Sequence, residues 1–139
     1  MDSIDVNPLA ILVGAVLTMA LGALWYSPVL LGGPWERSFD VPAEEVRARV
    51  EATGNAPFVV SALASLVLAV VLAILVSYAE ADNVGEGAFV GLLASLGLVA
   101  TATFTAGAFS GRKASQSAID SAYFIIASVL NGALFGIWH

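Results

Sequence analysis

The chain has 139 residues, of which 59% are hydrophobic and 12% charged, with a net charge of −6 and no cysteine. Soluble domains carry about 25% charged residues, so a mean hydropathy of +0.90 points to lipid as the solvent for most of this chain. The lack of cysteine excludes disulfides, thiolate metal ligands and a thiol nucleophile, and the acidic balance, with no basic patch, argues against a nucleic-acid partner.

Four apolar segments reach the about 20 residues needed to cross a bilayer. The first is Leu9–Leu31, preceded by Asp2 and Asp5 rather than by basic residues. Its apolar run is also too long for a cleavable signal peptide. It ends in "GALWYSPVLLGGPW", residues 22–35, which concentrates two tryptophans, a tyrosine, two prolines and three glycines. Pro28 has no N–H, so the carbonyl of Leu24 loses its helical partner and in lipid needs another donor, for which Ser27 is one candidate. Trp25, Tyr26 and Trp35 suit the headgroup level, where amphipathic aromatics anchor a helix. The stretch therefore supports two readings. It is a kinked helix end with an aromatic anchor, or it frames a small cavity lined by Trp25, Tyr26 and the freed carbonyl, near Asp120 and Tyr123.

The connection 32–56 contains "DVPAEEVRARVEATGN", which predicts a short helix capped by Asp40, with Pro42 in its first turn and Gly54-Asn55 at its end. This helix is a solvated connector resting on the membrane surface or a docking surface for a partner. The remaining spans are Pro57–Tyr78, Ala88–Ser110 and Ile119–Trp138. Only Asp120 brings a charge into any of the four. All five basic residues fall in two connections: Arg37, Arg47 and Arg49 after the first span, Arg112 and Lys113 after the third. The positive-inside rule then puts those connections in the cytoplasm and both termini outside.

Small residues recur every four positions in each span: Ala10, Gly14, Thr18 and Gly22; Ser61, Ser65, Ala69, Ala73 and Ser77; Gly87, Gly91 and Ser95, resuming at Thr103 and Gly107 beyond Val99; Ser128, Gly132 and Gly136. Such stripes let helices approach closely in lipid, where burial of apolar surface gives no driving force. They predict a four-helix bundle, and any unused stripe would serve a homo-oligomer.

An ionisable group inside a span is a functional candidate by default, and the span interiors hold none. Asp120, at the start of the fourth span, either caps that helix, pairs with Arg112 or Lys113, or serves a proton relay or a ligand. Thr101 and Thr105 share one face of the third span and bond back to their own helix or line a hydrophilic path. Asn131 is interhelical glue or the lining of a polar cavity. His139 stands without a second nitrogen or sulfur ligand, which makes a poor metal site. No Ser/His/Asp set or phosphate loop is present and no span holds paired carboxylates, so neither catalytic nor cofactor-binding nor metal residues are assigned.

"NPLAILVGAVLTMALGALWYSPVLLGGPW" resembles the opening of the small membrane proteins catalogued as domain of unknown function 1761. "GLLASLGLVATATF" and "AIDSAYFIIASVLNGALFGIW" are similar to that family's last two helices. The resemblance covers nearly the whole chain, least so the connection 32–56. By position its motif residues are Asn7, Trp25, Tyr26, Pro28, Trp35, Asp120, Tyr123 and Trp138. It implies a four-helix membrane fold and brings no substrate or activity.

The sequence thus predicts one all-α, four-span integral membrane domain over 1–139 in the cell membrane, both termini outside, with a short cytoplasmic helix between spans one and two. Its expected role is non-enzymatic: assembly, accessory or lipid-interacting, with the bilayer as its partner. The alternative is a channel or facilitator for a small neutral or weakly ionic solute, built from several copies. The candidate polar site is Trp25, Tyr26, Pro28, Asp120, Tyr123 and Asn131.

Overall fold

The computed structural model describes residues 3–139, and every described element is helical. Four helices are long and apolar enough to cross a membrane. The first, α1 (Pro8–Trp25), opens on Asn7, whose Oδ1 accepts from the backbone N–H of Leu9 at 2.9 Å and Ala10 at 3.3 Å. Pro8 suits this first turn because its missing N–H would have no helical partner anyway. At about 1.5 Å per residue, 18 residues span nearly the hydrocarbon core.

The helix stops at Trp25, before the expected end of the span at Leu31. Pro28 cannot donate, and the Leu24 carbonyl is taken by Ser27, through Oγ at 2.6 Å and the backbone N–H at 3.2 Å. Residues 26–31 form turns, closed by Leu31 N–H to the Trp25 carbonyl at 3.0 Å. Gly32 begins α2 (Gly32–Arg37) against the Tyr26 and Ser27 carbonyls, where a side chain would collide with backbone.

The short connecting helix α3 (Ala43–Ala52) forms, but not with the predicted cap. Asp40 instead pairs with Lys113 at 2.8 Å, and Pro42 stands just outside the helix. Arg47 clasps Glu36 with two parallel bonds, Nε–Oε1 at 2.9 Å and Nη2–Oε2 at 2.8 Å, tying α3 to α2. The Arg47 fork holds the Glu36 carboxyl below the ordinary carboxylate range.

The second long helix is α4 (Ala56–Tyr78). The third comprises α5 (Val84–Ala94), a π-helical stretch Ser95–Ala100 and α6 (Thr101–Phe109), and α7 (Ala114–Phe135) is the fourth. Ser95 Oγ donates to the Gly91 and Leu92 carbonyls at 2.8 and 3.2 Å, competing with the helical ladder where it widens. The π turns add one residue to the packing register. The buried face runs through Gly87, Gly91 and Ser95, then Ala100 rather than Val99, and returns at Gly107.

The central element is α7, which packs against all three other long helices. The α5 and α7 stripes face one another. A Cβ on Gly87 would strike the Gly132 carbonyl, and one on Gly91 the Ser128 carbonyl. On the other side, Ala69, Leu72, Ala73 and Val76 of α4 pack with Ala10, Ala15 and Phe135. Contact is closest at the end that carries the 79–83 turn. At the opposite end, where all the basic residues lie, Ala56 to Ala64 of α4 are exposed on every side, and α6 is buried only at Gly107.

Candidate functional site

The basic end gathers the polar and aromatic side chains. Where α1 ends, Trp25 Nε1 donates to the Ile119 carbonyl on α7 at 3.1 Å. Tyr26 Oη donates to Asp120 Oδ1 at 2.7 Å, a charge-assisted bond between residues 94 apart in sequence. The Tyr26 ring stands edge-on to Tyr123 and to Trp35, each at 5.7 Å, and Trp35 stands edge-on to Phe39 at 4.8 Å. Asp120 neither caps α7, which begins at Ala114, nor makes an ion pair with Arg112 or Lys113. Tyr26 is its hydrogen-bond partner.

Tyr123 and Asn131 both reach Thr18 on α1. Tyr123 Oη donates to the Thr18 carbonyl at 2.9 Å, over Gly22, where a Cβ would lie 3.1 Å from the hydroxyl. Asn131 is fully buried, and its Nδ2 donates to Thr18 Oγ1 and to the Ala127 carbonyl, both at 2.8 Å. Among the described residues its Oδ1 has no hydrogen-bond partner, and it lies against the Cα of Gly14, in the space a side chain there would need. This geometry is that of interhelical glue, with a Cα–H···O contact at Gly14 as a weak partner for the orphan oxygen.

The six candidate residues therefore divide. Tyr26, Asp120 and Tyr123 meet, and Trp25 fastens the same corner through a backbone carbonyl. Asn131 lies two turns of α7 away in a packed interior. Pro28 is exposed and shapes the end of α1 without joining the cluster, and the Leu24 carbonyl that it frees is already bonded. Thr101 faces outward with its hydroxyl bonded to the Gly97 carbonyl at 2.7 Å.

Beside the Tyr26–Asp120 pair, between α2 and the α6–α7 turn, lies a cavity of about 450 Å³. Trp35, Phe39, Arg112, Lys113, Gln116 and Asp120 line it, with Asp40 and Ser38 at its edge. Gln116 is only 7% exposed as a residue and lines the cavity, and its amide makes no hydrogen bond to another described residue. The buried indole N–H of Trp35 has none either. Sequence reasoning missed Gln116 and gave Trp35 only an anchoring role. The available signal was the four-residue spacing of Gln116 and Asp120, which puts two polar groups on one face of α7.

A second cavity of about 430 Å³ opens at the other end, lined by Asp5, Ser77, Glu80, Asp82 and His139 among others. The His139 ring bonds to the Phe135 carbonyl at 3.1 Å. Among the described residues no three of His, Cys, Asp and Glu gather closely enough to hold a metal ion.

No curated protein and no solved structure matches the chain. The family described as "Protein of unknown function (DUF1761)" matches residues 9–136, which take in all four long helices except Pro8 and the whole Tyr26–Asp120 corner. The chain belongs to this family, and its four long apolar helices mark it as a membrane protein.

Proposed function

We propose that this protein has no catalytic activity of its own and serves the cell membrane as a lipid-interacting accessory protein, holding an amphiphile in the cavity beside Tyr26 and Asp120. The observation that carries this reading is the cavity itself. It combines the nine-tenths-buried Gln116, whose amide makes no hydrogen bond to another described residue, two carboxylates and two cationic side chains with the aromatic walls of Trp35 and Phe39. Its place at the end of the apolar helices is the headgroup level of a bilayer. The positive-inside rule assigns this end to the cytoplasm and both termini to the outside. The rest of the bundle supports the non-catalytic part of the reading. The polar groups between its helices are uncharged, and Thr18, Tyr123 and the Asn131 amide nitrogen are spent on one another.

Native mass spectrometry of the gently released protein tests this. A bound lipid of defined mass, lost when Gln116 becomes Leu, is the expected result. Protein that retains no lipid at any activation energy would overturn the reading.

The exposed hydroxylic face of Thr101 and Thr105 favours a second reading. A facilitator would have to place that face on the axis of an oligomer, because Asn131 is sealed inside the protomer. Liposome flux that is unchanged by Thr105→Leu would remove it.

A further inference from the structure

Building on the lipid-holding reading, we infer that the cavity selects a phosphate ester whose far end carries a hydrogen-bond donor, the chemistry of a phosphoethanolamine or phosphoglycerol headgroup. The polar groups along the cavity are ordered. At its mouth, Arg112 makes no ion pair among the described residues, while Lys113 is held by Asp40. The 22-residue helix α7 begins there without a side-chain cap, and its dipole adds positive potential at the same place. An unpaired guanidinium beside a helix N-terminus asks for an oxyanion, and phosphate matches its fork.

Further in, the demand reverses. Gln116 stands between the mouth and Asp120, about 6 Å along the helix axis from the carboxylate. One oxygen of Asp120 already accepts from Tyr26. The other has no partner among the described residues and asks for a donor. An ammonium or hydroxyl arm reaching past Gln116 satisfies it. A bare phosphate monoester satisfies only the mouth and brings negative charge towards Asp120. A trimethylammonium arm has the charge but no N–H. The Gln116 amide both donates and accepts, so it can bond the ester oxygen and the arm together.

The test is a native mass spectrometry titration of the purified full chain with short-chain lipids that differ only in headgroup. Phosphatidylethanolamine and phosphatidylglycerol should bind at least tenfold tighter than phosphatidic acid and phosphatidylcholine. Asp120→Asn removes the charge but keeps an acceptor for Tyr26, so the fold survives. It should cut ethanolamine-lipid binding about tenfold and glycerol-lipid binding less. Arg112→Gln should weaken all the phospholipids alike.

If lipids bind with no headgroup preference, or Asp120→Asn leaves the ranking intact, this inference fails while the lipid-holding reading stands. If no lipid binds, both fail. Soluble glycerol phosphate and phosphoethanolamine complete the set. Competition by these esters at similar concentration supports the headgroup chemistry and identifies a free ester as the occupant. Their failure to compete, with the lipid ranking as predicted, supports it with a lipid as the source.

Discussion

The α5–α7 crossing predicts a sharp contrast between two glycines six residues apart. At Gly91 a methyl group would fall on the Ser128 carbonyl and crowd the Val129 Cα. Both obstacles are helix backbone, so no side chain can swing away. The helices would have to part by about 1 Å, opening the interface on which the whole third span is seated. Overpacking of this kind costs about 1–3 kcal/mol, and the lost Cα–H···O contacts add about 0.5–1 kcal/mol each. At Gly97, one and a half turns further on, an added methyl meets nothing within 4 Å. Replacing glycine in a helix then gains up to about 1 kcal/mol of backbone entropy. Gly91→Ala should therefore unfold at clearly lower denaturant than the parent in detergent micelles, and Gly97→Ala at the same level or higher. Equal effects at the two positions, in either direction, would refute the claim that close backbone contact seats the third span.

Gly14→Ala should cost about 1–3 kcal/mol by driving its methyl into Asn131 Oδ1 and the Phe135 ring. Asn131→Ala should recover part of that loss in a double-mutant cycle read by unfolding, and strict additivity would show that the two do not touch. Tyr26→Phe removes a hydrogen bond to a carboxylate and should cost about 1.5–3 kcal/mol in the same assay. A fold indifferent to the change would leave the hydroxyl without a structural role. The Glu36–Arg47 clasp should depend on pH. Because the Arg47 fork holds the Glu36 carboxyl below its ordinary range, the clasp is fully present at and above that ordinary range and weakens as pH falls through the lowered one. Protection of the α3 amides against hydrogen exchange, relative to the intrinsic rate at each pH, should fall over that acid range in the parent. It should be flat there in Glu36→Gln, and an identical fall in both would assign the effect to another group.

The features written in local spacing were legible in the sequence. Four apolar runs without internal charge define the four long helices. The stripes Gly87–Gly91–Ser95 and Ser128–Gly132–Gly136 name the two surfaces that meet. Pro28 and Ser27 predict how α1 must end. What escaped depends on pairings across long sequence distance. Asp40 precedes a proline-led helix start and reads as its cap, but Lys113, distant in sequence and near in space, takes its carboxylate. Val99 breaks a four-residue stripe on paper, and the π turns repair it by advancing the register to Ala100. The meeting of Tyr26, Asp120 and Tyr123 was suggested by their shared depth. The cavity next to it was not, because it forms between α2 and the α6–α7 turn, segments distant in sequence whose meeting no local spacing records.

The two ends of the bundle differ for one physical reason, and it accounts for where the cavity lies. Glycine and serine at the crossing of α5 and α7 bring backbones into contact and leave no space between them. At the basic end the facing residues are Trp25, Tyr26, Trp35 and Tyr123, whose rings hold α1, α2 and α7 apart. Rings cannot fill the gaps between helices as closely as methylenes do, and a carboxylate and an amide among them require partners that lipid chains do not provide. Such an end is stable in a membrane only if its polar groups meet each other, water, or a polar molecule from the headgroup layer. Tyr26 meets Asp120, and Lys113 meets Asp40. Gln116 and the exposed Arg112 make no side-chain hydrogen bond or ion pair among the described residues, the buried Trp35 indole N–H has no partner, and all three residues line the same cavity, while the buried Ser121 hydroxyl, outside it, is also unpartnered. Replacing Gln116 with Leu should therefore stabilise the empty protein and abolish its lipid retention together. A polar residue kept at a cost to stability is the signature of a site.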